Sequence, residues 1–287
     1  MNAVNVTAEG LVEGIKDLAT LPETALRIAR MVEDPNSSSA DIGREIGNDA
    51  ALTARILRIA NSPAFGQHGK IADINRAITV LGLKQVRDLT VGLTAIRTFE
   101  GIPNELVTME SFWRHSLLCA VAAGHIAARR PAGRGGSPFV AGLLHDIGQL
   151  VIFSRVPQLA HKALLMTIDE GDDLNLYLYE REVMGFDHQS VGLALARSWG
   201  LPESLQECIA FHHEPQLAQA HKHEVATVHI ANSIAVLSEI GSTNLGDAAA
   251  IAPEALRLAQ LDEAAVVEIV RQTGDSAAEM LQRLLAP

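Results

Sequence analysis

Residues 46–66 read IGNDAALTARILRIANSPAFG, a stretch that combines a helix start, a helical apolar spacing and a helix end. Asp49 stands before an apolar periodic run in which Leu52 and Ile56 share one helical face. Asp49 is therefore predicted to cap a helix, because a short acidic side chain can accept hydrogen bonds from the first free N–H groups. The Asn-Ser-Pro sequence at 61–63 is predicted to end that helix.

Outward from this stretch, the helical spacing continues in both directions, and no segment convincingly alternates polar and apolar residues. Aromatic residues make up only 4% of the chain, and alanine and leucine dominate. Strands prefer aromatic and β-branched residues, so this bias favours helices. We therefore predict an all-α fold.

The 287 residues suit one large domain or two intimate ones. Gly101-Ile102-Pro103 is the best candidate boundary. It predicts an N-terminal helical subdomain over residues 1–104, a second helical bundle over 105–245 and a C-terminal helical tail over 246–287. The tail is predicted to break near Gly274.

The charge of the chain argues against a nucleic-acid partner. The formal net charge is −11, and residues 106–287 alone, with 12 basic and 21 acidic side chains, contribute −9. An acidic surface is a poor match for a phosphate backbone. No compact basic patch with interleaved aromatic residues offsets it.

Cysteine usage and hydropathy predict a cytoplasmic protein. Cys119 and Cys208 are the only cysteines, which excludes a disulfide framework. Residues 1–14 lack the apolar core of a signal peptide. The most apolar stretch, 117–128, is too short to cross a bilayer, so no membrane insertion is expected.

Histidines fall in an ordered pattern in the second part of the chain. His145-Asp146 lies within a predicted apolar helix over 138–154, where a lone carboxylate is costly and must be paired or metal-bound. His188 and Asn232 each share a helical face with apolar residues and are predicted to point inward. The complete set is His115, His145, Asp146, His188, His212, His213 and Asn232.

Each of these side chains has a simpler interpretation. A single inward histidine is more often a hydrogen-bonded core residue than a ligand, and a metal-free cluster around Asp146 could hold the helices together. Four further histidines lack the pattern and are interpreted as surface or supporting residues: His161, His221, His223 and His229. His68 is predicted to lie in a loop flanked by glycines, and His125 on a different helical face from His115.

The order of His, His-Asp, His, His-His and a final acidic position resembles the HD superfamily of metal-dependent phosphohydrolases, particularly its HD-GYP branch. The resemblance implies that the seven residues above surround one or two divalent transition-metal ions, and imidazole suits Fe, Mn, Zn or Ni. Asn232 replaces the final aspartate of the pattern. Glu214-Pro215-Gln216 stands where the Gly-Tyr-Pro signature is expected.

The opening stretch at 46–66, together with Ile71–Gly82, resembles the HDOD family, the HD-related output domains. This resemblance implies an N-terminal helical subdomain packed on an HD-like bundle. It also implies a bacterial signal-transduction role, often without demonstrated enzymatic activity.

Two functions follow from the resemblance, and the sequence favours the first. One is a non-catalytic regulatory module with a degenerate metal site, acting by contact with a signalling protein. The other is a phosphohydrolase or phosphodiesterase acting on a nucleotide or cyclic dinucleotide. Asn232 removes a negative ligand that a two-metal mechanism needs, and Arg114 and Arg197 are only isolated candidates for holding phosphates.

Two further expectations concern the preferred metal position and the aromatic residue Phe65. The ion held by Asp146, His188, His212 and His213 should bind better than one near Asn232, because the first ligand set is complete. Phe65, an aromatic residue in a predicted loop, should either contact a partner or pack between the subdomains.

Overall fold

The computed structural model describes residues 7–13, 22–61, 71–99, 107–129, 137–170 and 175–284. Within these ranges the chain is helical and contains no β-strand, which confirms the all-α prediction. The boundary at Gly101–Pro103 and the loop residue Phe65 lie outside the described residues.

The described residues of the first third of the chain form six helices. Asp49 caps a helix as predicted and accepts the N–H of Leu52 at 2.9 Å, and Ser38 and Asp41 form a reciprocal capping box at another helix start. The helices are α1 (Ala8–Glu13), α2 (Glu23–Glu33), α3 (Ser39–Gly47), α4 (Ala50–Ala60), α5 (Ile74–Leu81) and α6 (Leu83–Thr98).

Two residues within 46–82 have clear structural roles, Asn61 and Gly82. The Asn61 amide donates to the carbonyl of Ile71 at 2.8 Å and accepts its N–H at 2.8 Å, so it joins the end of α4 to the approach to α5. Gly82 stands between α5 and α6 with φ of 89°. Side chains are strained at this φ, so the direct turn between two helices requires glycine.

The remaining helices build a bundle around α7, whose middle is fully buried. Helices α8, α14 and α16 pack against α7, and α1 packs on α9 and α12 of the same bundle. The helices are α7 (Met109–Ala128), α8 (Pro138–Leu144), α9 (Ile147–Arg155), α10 (Pro157–Glu170), α11 (Leu176–Met184), α12 (His188–Ser198), α13 (Glu203–Phe211), α14 (Lys222–Ile240), α15 (Pro253–Ala259) and α16 (Glu263–Leu284).

The predicted break at Gly274 is wrong. Helix α16 continues through Gly274, and the tail instead breaks between α15 and α16, where Gln260 has φ of 58°. Gly274 is exposed and costs only about 1 kcal/mol in a helix interior, which burial of Thr273 and Ala277 on either side can offset.

Among the described residues no single helix is long and apolar enough to cross a membrane. One pair, Pro138–Arg155 with Pro157–Asp169, passes the same length and composition test but is bent by 119°.

Candidate metal centre

The centre is built around Asp146, which lies at a break between two helices. The prediction of one helix over 138–154 is wrong, because α8 ends at Leu144 and α9 begins at Ile147. Asp146 occupies the N-cap position of α9, yet its carboxylate makes no capping hydrogen bond. The carboxylate is therefore directed to other partners.

One oxygen of Asp146 faces two histidines from two further helix ends, and a third histidine lies beside them. Asp146 Oδ1 lies 3.3 Å from Nε2 of His188 and 3.4 Å from Nε2 of His212. His188 Nε2 also lies 3.4 Å from His212 Nε2 and 3.2 Å from His213 Nε2. Ligand atoms about 2.1 Å from one tetrahedral ion lie roughly 3.4 Å apart. The spacing therefore suits four donors around one cation.

The other oxygen of Asp146 faces a second, weaker group. Asp146 Oδ2 lies 3.2 Å from Nε2 of His145 and 4.0 Å from Nε2 of His115. Asn232 Oδ1 lies 3.0 Å from the same nitrogen of His115. The structure thus brings all seven sequence-predicted residues together, in two groups that share Asp146.

Local sequence explains how the helix ends reach the centre. The Asp187 carboxylate accepts the N–H of Ser190 at 2.8 Å and so starts α12 with His188 as its first residue. His212 follows the last residue of α13, and its carbonyl accepts a hydrogen bond from Nδ1 of His229 at 2.7 Å. Helix ends place side chains at defined positions without interrupting the packed helix faces.

The outer nitrogen of each principal imidazole is held by an acceptor. Nδ1 of His188 lies 2.6 Å from the Glu180 carboxylate, and Nδ1 of His115 lies 3.1 Å from that of Glu239. The Nδ1 atoms of His145 and His212 face the carbonyls of Gly142 and Ile209 at 2.8 and 3.0 Å. At His145, His188 and His212 such contacts fix the tautomer with the Nε2 lone pair turned inward, as metal-ligating histidines require. At His115 the Nε2 atom instead faces a second acceptor, Asn232 Oδ1.

Sequence reasoning missed Glu180 and Glu239. Glu239 lies seven residues after Asn232 on α14, so helical spacing places both on one face and could have identified it. Glu180 lies on α11, and its approach to His188 depends on the turn between α11 and α12. No local pattern contains that tertiary contact.

His213 is the most accessible histidine of the four-residue group and is covered by an aromatic ring. Tyr177 stacks on His213 with ring centroids 4.5 Å apart and planes 9° apart. The Arg181 guanidinium lies 5.0 Å from the Tyr177 centroid and pairs with Asp187 and Glu214. Helix α11 therefore supports the centre through both Glu180 and Tyr177.

The charge state of the cluster suits a cation. Burial works against ionisation of Asp146, but the neighbouring His145 and His188 hold the pKa of that carboxyl well below its usual range. Burial also lowers the pKa of His212 to about 4, and burial and His212 lower that of His213. Burial disfavours the imidazolium of His145, yet the Asp146 carboxylate raises its pKa well above its ordinary value. The ionised carboxylate and the neutral imidazoles of His212 and His213 are donors that suit a divalent transition metal.

The pKa of His188 is shifted in the opposite direction to those of His212 and His213. Burial disfavours the imidazolium, yet the Glu180 carboxylate raises the pKa of His188 to about 9. The same negative charge that stabilises a proton on His188 would strengthen its donation to a cation.

Two buried atoms that form no hydrogen bond provide an independent test of whether a metal fits. Nε2 of His145 and Oδ1 of Asp146 are buried and form no hydrogen bond within the described residues. A buried polar atom without a partner is costly. A cation between the donors satisfies both atoms, so the residues present fit a divalent metal.

The other histidines differ in their burial and in their contacts. His229 is buried. Its Nδ1 donates to the His212 carbonyl, and its Nε2 accepts the N–H of Ala252 at 3.0 Å. It supports the centre from behind. His161 is exposed, and His125 pairs with Ser276 at 3.2 Å. His68 lies outside the described residues.

The helical fold and the His-Asp centre define an HD-type protein, and comparison with known families specifies the class. The sequence pattern of the HDOD domain matches residues 18–215, more than half of the chain. The chain therefore belongs to the HDOD family.

One curated relative is similar to most of this chain. An uncharacterized protein of Treponema pallidum (strain Nichols) is 29% identical over 231 residues, which are 78% of this chain and 43% of that protein. The chain thus spans less than half the length of that relative.

Solved structures share the fold. An HDOD domain protein of unknown function from Geobacter sulfurreducens has a TM-score of 0.74 at 23% identity, with 98% of this chain and 99% of that chain covered. A candidate phosphohydrolase from Shewanella amazonensis SB2B has a TM-score of 0.72 at 23% identity, with 96% and 97% covered. A candidate signal transduction protein from Marinobacter aquaeolei VT8 has a TM-score of 0.70 at 25% identity, with 95% and 61% covered.

Proposed function

We propose that this chain is a regulatory module of bacterial signal transduction whose degenerate HD-type centre holds one divalent transition-metal ion. The observation that carries the proposal is the asymmetry of the centre. Asp146, His188, His212 and His213 offer four ligand atoms within 4.8 Å of one another, whereas His115 and His145 have only Asp146 and an amide. When bound, the ion supplies a fixed positive charge that joins three helix ends.

Asn232 is the reason for proposing one ion rather than two. Its neutral amide oxygen binds transition metals weakly. His115 is already placed between Asn232 and Glu239, at 3.0 and 3.1 Å. A hydrogen-bonded His115 competes with metal ligation, so the second group is a poor site.

Contacts around the centre also favour regulation over phosphate chemistry. A phosphohydrolase needs cations that hold the substrate phosphates. Arg181, which lies over Tyr177 beside His213, is engaged by Asp187 and Glu214. Its charge is thus committed within the protein.

One observation favours the second candidate, a metal-dependent phosphohydrolase. The two oxygens of Asp146 face different histidine groups, as a carboxylate bridging two ions would. Two-metal catalysis uses ions about 3.5–4 Å apart to stabilise the attacking and leaving oxygens. The shared carboxylate keeps this alternative testable.

Metal analysis of protein purified without a metal-affinity step separates the candidates. We expect about one equivalent of Fe, Mn, Zn or Ni and no turnover of phosphodiesters or nucleotides. Asn232→Asp should raise the content toward two equivalents, because it completes the second group. Asn36→Asp, the same change at an exposed distant position, should leave the content unchanged. Metal-dependent turnover that disappears in His212→Ala would instead assign the phosphohydrolase function.

The partner follows from the class of module. We propose that the output is a contact with another signalling protein in the cytoplasm, without nucleic acid and without membrane insertion. The net charge of −11 and the two buried free cysteines support this placement. Phe65 stays a candidate contact residue outside the described part of the chain.

A further inference from the structure

A cleft separate from the metal centre lies where the first helices meet the bundle. Helices α2 and α6 form one wall, and the turn that joins α12 to α13 forms the other. The cleft has a volume of about 820 Å³. Sites for small organic ligands occupy roughly 300–1,000 Å³ and are common where two structural units meet.

The polar lining of this cleft is cationic in an anionic protein. Arg30, Arg87 and Arg197 line it together with Asp34 and Asp88, a balance of +1 in a chain of net charge −11. Asp88 is committed to Arg87, with Arg87 Nε at 2.8 Å from its carboxylate and both side chains buried.

Arg30 and Arg197 stand on opposite walls of the cleft. Both are exposed, and neither guanidinium forms an ion pair or hydrogen bond with any residue that the structure describes. A planar guanidinium binds phosphate oxygens through two parallel hydrogen bonds. Two such groups facing one cavity are arranged to hold an anionic group between them.

The rest of the lining is apolar and includes a large aromatic ring. Trp199 follows α12 directly and contributes to the cleft with Leu26, Val91 and Leu205. The Trp199 ring is only 7% exposed and packs against Phe99 with ring centroids 6.2 Å apart, so a limited part of it reaches the cleft. The apolar lining as a whole suits the uncharged part of a nucleoside. From the volume, the two arginines and the apolar lining, we infer that this cleft binds a nucleoside phosphate.

This site is distinct from the metal centre but connected to it by one helix. Helix α12 begins with His188 and ends at Ser198, so a rise of 1.5 Å per residue places the cleft roughly 15 Å from the centre. A nucleotide in the cleft contacts both the first helices and the bundle.

Tryptophan fluorescence gives a direct measurement, since the chain has only two tryptophans. Trp113 is buried in the bundle, so Trp113→Phe leaves Trp199 as the only emitter. Titration with AMP, ADP, ATP, GMP, GDP and GTP should give a saturable change with at least one of them. Adenosine, guanosine and inorganic phosphate should each bind at least tenfold more weakly. A thermal-shift titration of the unmodified chain provides the same comparison if Trp113→Phe does not fold.

The double variant Arg30→Gln/Arg197→Gln should keep its melting temperature, because both side chains are exposed, and should lose at least tenfold in nucleotide affinity. Arg76→Gln, an exposed arginine on α5 outside the cleft, should bind like the unmodified protein. The inference is overturned by no response to any of the six nucleotides at 1 mM. Unchanged affinity in the double variant, or binding of inorganic phosphate as tight as that of the best nucleotide, also overturns it.

Discussion

At the scale of single residues, the centre depends on acceptors that the motif does not contain. Glu180 receives both the backbone N–H of His188, at 2.8 Å, and its Nδ1, at 2.6 Å, and is itself buried. One carboxylate therefore fixes both the start of α12 and the orientation of its first imidazole. Outer contacts of this kind are about as important to a metal site as the ligands.

Glu180→Gln should weaken metal binding by about 10–100-fold, because a neutral amide neither fixes the His188 tautomer nor strengthens its donation. Glu182→Gln, an exposed position on the same helix, is the matched control and should bind metal normally. Competition with a chromophoric chelator measures both affinities. Equal metal affinities in the two variants would show that Glu180 does not support the centre.

A second buried carboxylate, Glu207, gives the fold a pH dependence away from the metal. It accepts the N–H groups of Gln219, Ala220 and His221 at 3.1, 3.0 and 3.0 Å. Burial works against its ionisation, but the three N–H groups lower the pKa of Glu207 below its ordinary value. These contacts satisfy the chain just before α14, whose start has no side-chain cap.

Glu207→Gln should lower the free energy of unfolding by about 1–3 kcal/mol near neutral pH. The stabilisation is complete above the unfolded pKa, near 4.5, and is lost as the pH falls through the lower folded pKa. The difference in the free energy of unfolding between wild type and variant should therefore become smaller below about pH 4.5. Urea unfolding at about pH 7 and pH 3.5 tests this, and an equal difference at both pH values contradicts it.

At the scale of helices, α9 and α12 approach so closely that only glycine fits between them. A Cβ on Gly148 would lie 2.0 Å from the carbonyl oxygen of His188 and 2.6 Å from the backbone nitrogen of Gly192. Both contacts involve backbone, which cannot move aside as a flexible side chain can. This approach is what brings His188 to Asp146.

Gly148→Ala should therefore cost at least about 1–3 kcal/mol of stability and weaken metal binding, since α12 must move away from α9. Gly274→Ala in α16 is the control, because no heavy atom lies within 4 Å of its added Cβ. It should be neutral or stabilise by up to about 1 kcal/mol. The melting temperature and the metal content are to be measured for both variants. A Gly148→Ala protein with normal values would contradict the packing argument.

Helix periodicity carried most of the fold, and the errors have local causes. The apolar spacing predicts helices over about 109–129, 188–199 and 223–240, and α7, α12 and α14 match these bounds to within one residue, because their apolar faces are continuous. The break at His145-Asp146 could not be read from the sequence, since residues 139–150 are apolar on nearly all sides and the nearby glycines, Gly142 and Gly148, lie within α8 and α9 rather than at the break. There the polar pair, rather than a turn residue, ends the helix.

For the centre, the sequence indicated which residues converge but not how they are held. Residue types and order were enough to group seven side chains from five separate stretches. Their supports come from tertiary contacts, such as Glu180 on α11 and the carbonyl of Ile209. These depend on helix packing and leave no local signal.

At the scale of the whole molecule, both ends of the described chain return to the bundle. Helix α1 packs on α9 and α12, while α16 packs on α7 and α14. The ligands of the four-residue group come from the start of α9, the start of α12 and the end of α13. A cation held there connects three helices of the bundle to one another, so metal binding and folding should be linked.

Removing the metal should consequently lower the stability of the entire chain. A ligand that binds only the folded state stabilises it by about 4 kcal/mol when its free concentration is a thousand times its Kd. The metal-loaded protein should therefore melt several degrees higher than protein treated with a chelator. His212→Ala should melt near the chelated wild type and show no further response to chelator. His161→Ala, which removes an exposed histidine, should keep the full response. If chelation strips the metal and leaves the wild-type melting temperature unchanged, the ion is not part of the folded structure. The cluster around Asp146 is then held by hydrogen bonds and protons alone.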